Sequence, residues 1–192
     1  MEYTKVASDA FEKMQLNAGI VVDGFTPATG VIGNILGATK GGLSFDANPS
    51  YEDFGEDVDN VPANTRQLKR LLGYDPVLSG TFVTVTAALA AKLAGAAAAE
   101  NAHVVPAAEL TSAHFADVWV IGDYSAHNEG TGSGQSYAGF AAVHIKNALN
   151  TKGFSWQSAK NGKGEFPFEF HGHYDITDID DAPWEIYVRA GA

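Results

Sequence analysis

Between residues 33 and 95 the chain runs through a strand pattern, a strongly acidic loop, a long hydroxyl-rich strand pattern and then one short alanine-rich helix. That order restricts the fold more than any other feature. Thr86 can cap a helix in which Leu89 and Leu93 lie one turn apart, and Gly95 is placed to end it. The helix is expected over about 86–97, and residues 96–100 could extend it by a turn. Nearly everything else alternates with period two, so a single helix must flank sheets rather than join a bundle.

The strand patterns are distinct. Leu16, Ala18, Ile20 and Val22 form one side of a strand over residues 16–25, residues 26–30 turn the chain, and a short strand follows at 31–36. Leu43, Phe45 and Ala47 continue an inward face, while Ser44, Asp46 and Asn48 face away. A long acidic loop spans about 48–65, and loops of this length are usually functional or disordered. The strand at 72–85, expected to be the longest, has Tyr74, Leu78 and Phe82 on one face and Asp75, Ser79, Thr81 and Val83 on the other. Further strands are expected at 115–124, 138–148, 153–159, 165–177 and 184–189, separated by Gly, Ser and Asn clusters such as 128–136. The expected fold is mainly β, a β-sandwich or barrel of about seven to eight strands with one flanking α-helix. No internal repeat is evident.

At 192 residues with 45% hydrophobic content, the chain suits a single domain over 1–192 with a substantial core, preceded by an N-terminal arm at about 1–15. A formal charge of −11 argues against an ordinary nucleic-acid binder, which needs a basic face. The absence of cysteine excludes disulfides and thiolate metal sites. Residues 1–15 mix charged and apolar residues, unlike a signal peptide, and no stretch reaches the roughly 18–20 apolar residues of a membrane span. These features suggest a soluble protein made in a cytoplasm, with no membrane partner.

Candidate chemistry is sparse. His171, His173 and Asp175 alternate along one expected strand, a spacing that can ligate zinc or iron. The apolar stripe of Phe166, Phe168, Phe170, Tyr174 and Ile176 accounts equally for their polarity, and a solvated face is the better reading. Asp175, Asp178, Asp180 and Asp181 surround a turn but lack the glycine and distal glutamate of an EF-hand. Asp123, Ser125 and His127 lack the strained elbow of a nucleophile, and Gly132 to Gly134 lacks the lysine of a phosphate loop. Trp119, Trp156 and Trp184 fall in separate strands and suit core or interface anchors. No residue reads as catalytic, no cofactor is implied, and the chain does not read as an enzyme.

Charge is arranged more deliberately. Asp46, Glu52, Asp53, Glu56, Asp57 and Asp59 fall between residues 46 and 60 with no Lys or Arg, and Arg66, Lys69 and Arg70 follow at once. Such separation suits a contact repeated between identical subunits better than a solvated surface.

Six collinear runs carry a resemblance: LNAGIVVDGFTPATG (16–30), IGNILGATKGGLSFDANPSYEDFGEDVDN (32–60), SGTFVTVTAALAAKLAG (79–95), VWVIGDYS (118–125), HIKNALNTKGF (144–154) and PWEIYVRAG (183–191). In these the chain resembles the major tail tube proteins of long-tailed bacteriophages of the group infecting Gram-positive bacteria. The alanine tract at 94–99 departs from that pattern and leaves the helix end open. The resemblance implies a virion protein, assembled in the host cytoplasm as hexameric rings that stack into a hollow tube conducting DNA. It implies tape-measure, terminator and distal tip proteins as partners, and DNA passing without specific binding. On this reading Glu52, Asp53, Glu56, Asp57 and Asp59 of one ring face cations that include Arg66, Lys69 and Arg70 of the next. The same charges pairing within one subunit is the alternative. Asp75, Ser79 and Thr81 are candidates for the lumen wall. The rival function is a monomeric β-sandwich module binding carbohydrate or protein through the tryptophans and loop 128–136.

Overall fold

The computed structural model describes residues 6, 7, 10, 13–124 and 139–189, apart from the side chains of Leu16 and Tyr124. The N-terminal arm therefore falls largely outside the described residues, as do Ser125, His127, Gly132 to Gly134 and loop 128–136. The elements are β1 (Gln15–Val22), β2 (Phe25–Thr26), β3 (Val31–Ile32), β4 (Ile35–Gly37), β5 (Thr39–Asp53), β6 (Lys69–Phe82), α1 (Ala87–Ala94), β7 (Ala97–Glu100), β8 (His103–Pro106), β9 (Ala116–Tyr124), β10 (Phe140–Asn150), β11 (Phe166–His171) and β12 (Trp184–Arg189). The protein is mainly β. Among the described residues eight strands are joined by hydrogen bonds, seven in the order β4-β1-β9-β10-β11-β6-β5 and β12 added to β10. Two ribbons, β2-β3 and β7-β8, stand apart.

Strand β10 belongs to both layers. Its first half pairs with β9 and β12, whereas Leu149 and Asn150 pair with β11. The switch falls where the β9 register shifts between Ile145 and Ala148, and Asn147 there has φ 48°. A bulge of this kind bends a strand and lets it turn a corner between layers. Val21, Val118 and Ile145 from one layer then meet Leu78, Phe82, Phe166, Phe168 and Phe170 from the other in a common core. Trp184 of β12 joins the layers at their edge, 5.9 Å from Phe45 and 5.5 Å from Tyr74. A smaller core of Val22, Trp119, Ile121, Phe140 and Ala142 covers the other face of the first layer beneath Phe25.

Helix α1 inserts Leu89 and Leu93 into the main core. The Thr86 hydroxyl caps it by accepting from the Leu89 N–H at 3.1 Å. The helix is shorter than expected: Gly95 at φ 80° ends it, and residues 97–100 form β7 instead. Alanine favours helix, but β7 gains a ladder with His103–Pro106 across a turn in which Asn101 takes φ 56°. Asn150, 3% exposed, ties the helix end to the second layer. Its amide donates to the carbonyls of Leu93 and Gly153, and its oxygen accepts from the Glu169 N–H at 2.8 Å.

Other expectations are corrected. Strand β5 continues through Pro49 to Asp53, so the loop covers 54–68 and β5, at 15 residues, exceeds β6 by one. Residues 153–159 form no strand, only a bridge between Gln157 and Glu165. Strand β11 stops at His171, and Gly172 lies against the segment that leads into β12, where an added Cβ would sit 2.8 Å from the Pro183 carbonyl oxygen. Tyr174 and Ile176 therefore leave the apolar stripe, and Ile176 is 91% exposed.

Candidate functional site

The β5-β6 hairpin is two structures in one. From Thr39↔Phe82 to Asn48↔Asp75, Phe45 and Ala47 sit over the core side while Ser44, Asp46 and Asn48 face solvent. Beyond that point the ribbon leaves the body and most residues on both faces are exposed. Tyr51 lies across from Leu71, Glu52 from Arg70 and Asp53 from Lys69. Tyr51, Phe54, Val58, Leu71 and Leu72 are 47% to 60% exposed.

The arm nevertheless has local order. Asp53 accepts from the Gly55 N–H at 3.0 Å and the Asn64 N–H at 2.7 Å, and these bonds hold its carboxyl below the usual carboxylate range. The Phe54 N–H donates to the Leu68 carbonyl at 3.1 Å. The Lys69 ammonium lies 5.6 Å from the Tyr51 ring centre, and the Arg70 guanidinium 5.5 Å from that of Phe54. Each face of the ribbon thus carries an aromatic ring with a cation over it. The register sets Glu52 across from Arg70 and Asp53 across from Lys69 within one chain, yet no ion pair joins either couple among the described residues, and Lys69 donates to the Asn64 side chain at 3.3 Å. Arg66, Glu56, Asp57 and Asp59 are exposed around the tip, and none has an ion-pair partner among the described residues.

Asp75, Ser79 and Thr81 share the outer face of β6 with Ser44, Asp46 and Asn48 of β5 and Glu169 and His171 of β11. Asp75 contacts His171 Nδ1 at 2.9 Å, and Ser79 and Thr81 line a shallow groove with residues 40–44. The face is polar and bears the carboxylates of Asp46, Asp75 and Glu169 together with the cations of Lys40, which pairs with Glu165, and Lys152, which lies 3.4 Å from Glu169.

His171, His173 and Asp175 do not converge. His173 Nδ1 contacts the Asn147 carbonyl oxygen at 3.1 Å, and the Asp175 carboxylate accepts from the Thr177 N–H and hydroxyl. No three His, Asp or Glu side chains among the described residues are grouped to hold a metal. The tryptophans are also apart: Trp119 is buried, Trp184 half-buried, and Trp156 is 68% exposed.

One charged row was not anticipated. Trp119, His144 and Glu185 occupy one rung across β9, β10 and β12, with Trp119 and His144 stacked at 3.9 Å. Lys146 bridges Asp181 at 2.7 Å and Glu185 at 2.6 Å, and the Tyr187 hydroxyl donates to Glu185. The alternation of HIKNALN and WEIYVR contains these residues, but only the register joins them. Hydrogen bonds from Lys146 and then Tyr187 hold the Glu185 carboxyl below its ordinary 4.5. Because the folded value is depressed, the stabilisation is full above the unfolded pKa and is lost as pH falls through the folded value. Glu185→Gln should lower the melting temperature near neutrality. The difference from wild type should shrink below about pH 4.5, which melting curves against pH will test.

Among the described residues, no helix is long and apolar enough to cross a membrane. No protein-family model matches the chain, and no curated protein matches its sequence.

Proposed function

We propose that this chain is a structural subunit that assembles with its own copies into stacked hexameric rings, forming the hollow tail tube of a long-tailed bacteriophage. The observation that carries this reading is the arm. A two-stranded ribbon is marginal in water, and this one presents five exposed apolar side chains at and near an acidic tip. Burial against another copy gives the arm the third surface that it lacks.

Two further features support association. Among the described residues, strands β5 and β12 each pair on one side only, and β12 exposes Ile186 and Val188. Such edges accept a strand from a neighbour. The net charge of −11 and the carboxylates outside β6 suit a channel for DNA, because a wall of like charge does not trap a polymer with a charge every ~1.7 Å. On this reading Asp75, Ser79 and Thr81 face the lumen, a tape-measure protein sets length, and terminator and tip proteins cap the ends.

Electron microscopy of the purified, tag-free protein at high concentration, beside its size-exclusion profile, tests the proposal. Stacked rings or hollow tubes are the expected result. A persistent monomer that binds glycans would instead support a binding module, for which exposed Trp156 is the natural platform.

A further inference from the structure

Strand β6 runs from the arm to the far end of its layer, where Phe82 pairs with Phe166 at the start of β11. The loop that enters β11 therefore lies at the opposite end from the acidic tip. Its residues 151–164 contain Lys152, Lys160 and Lys163 and no Asp or Glu. Lys152 leans on Glu169, while Lys160 and Lys163 are exposed and have no acidic partner among the described residues.

The same loop is apolar where it meets the body. Trp156 and Phe154 are 68% and 46% exposed and pack on Phe166 at 6.3 Å and 5.9 Å. With Val85, Val104 and the small face of α1 they line an open groove. The groove thus has an apolar floor, and the two lysines without an acidic partner among the described residues belong to the loop that supplies Phe154 and Trp156 to it. The tip is its complement: Phe54 and Val58 are exposed beside Glu56, Asp57 and Asp59, which have no cation partner among the described residues.

We propose that the acidic tip of the β5-β6 arm of one copy docks on the lysine-bearing loop between β10 and β11 of the next copy. Phe54 and Val58 then meet Trp156 and Phe154, and the tip carboxylates face Lys160 and Lys163. The inference rests on the reading of the chain as a self-assembling subunit. It identifies the cations that meet the tip as Lys160 and Lys163, because Lys69 and Arg70 already lie over rings of their own arm and Arg66 stands at the same tip as the carboxylates. Within one chain the two surfaces cannot meet. The 14 residues of β6 separate them by roughly 40 Å at about 3.3 Å per residue. The contact is therefore head-to-tail, with different patches from each copy, and propagates without limit unless closed or capped.

The absence of cysteine from the chain permits a clean test. The double variant Asp57→Cys/Lys160→Cys, oxidised with glutathione disulfide, should give a ladder of covalent multimers on a non-reducing gel. Each single variant should remain monomeric, because the contact opposes residue 57 to residue 160 and never like to like, and no intrachain bridge is possible, since disulfides need Cα atoms within about 7 Å. Circular dichroism establishes that the variants are folded, and microscopy of the wild-type protein is run in parallel. A double variant that remains monomeric or dimeric while wild-type tubes form overturns this contact and leaves the tube reading intact. A ladder without rings or tubes supports the contact and removes the tube. Neither ladder nor assembly overturns both.

Discussion

Replacing residues 54–68 with a two-residue Asn-Gly turn should leave the body folded and abolish association between copies. The excision falls just after Asp53↔Lys69, the last ladder pair of the hairpin, where a tight turn can close two antiparallel strands. Among the removed residues only Gly55 is buried, and neither core cluster includes any of them. The cost to the body should stay within about 0.5 kcal/mol, the range of surface changes away from core and caps. Size-exclusion and microscopy read the assembly, and a thermal melt reads the body. A shortened chain that still forms rings and stacks would show that the arm is dispensable, and the argument from its exposed faces would fail.

Phe168→Ala should destabilise the fold by about 4 kcal/mol, the middle of the range for a buried phenylalanine truncated to alanine. Phe168 is 1% exposed, with its ring 4.4 Å from that of Phe82 and 5.2 Å from that of Phe170. Across the ladder lies Gly80, where an added Cβ would sit 2.9 Å from the Phe168 ring. The ring therefore occupies space that no neighbouring side chain can take over, and its loss leaves a cavity. Against the 5–15 kcal/mol typical of a domain, this is a large fraction of the whole. Denaturant titration should show a lower midpoint with an unchanged slope. A change below about 1 kcal/mol would mean that the layers collapse into the space and that the core is far softer than its ring geometry implies.

What was legible in the sequence is what period and caps dictate. Leu43, Phe45 and Ala47, and again Phe166, Phe168 and Phe170, alternate because each strand has one face in the core. Thr86 and Gly95 marked the helix through cap chemistry that is local to a few residues. Pro49 disguised the continuation of β5, since proline argues against a central strand but is tolerated on an edge, where β5 lies. Alanines 97–99 disguised β7, because helix propensity lost to a ladder with β8. The row of His171, His173 and Asp175 required a strand that ends at His171. The acidic surplus of the tip was plain from composition. Its register against Arg70 and Lys69 depends on hairpin geometry, and the lysines at 160 and 163 became distinctive only once the fold put them at the far end of β6.

That placement also makes the molecule a vector. A column of copies joined tip to loop would expose unmatched carboxylates at one terminus and unmatched ammonium groups beside an indole at the other. Subunits would add to the two termini through different chemistry, so the rates of growth would differ and salt would alter them unequally. A factor that starts such a column and a factor that stops it would need surfaces of opposite charge, and neither could substitute for the other.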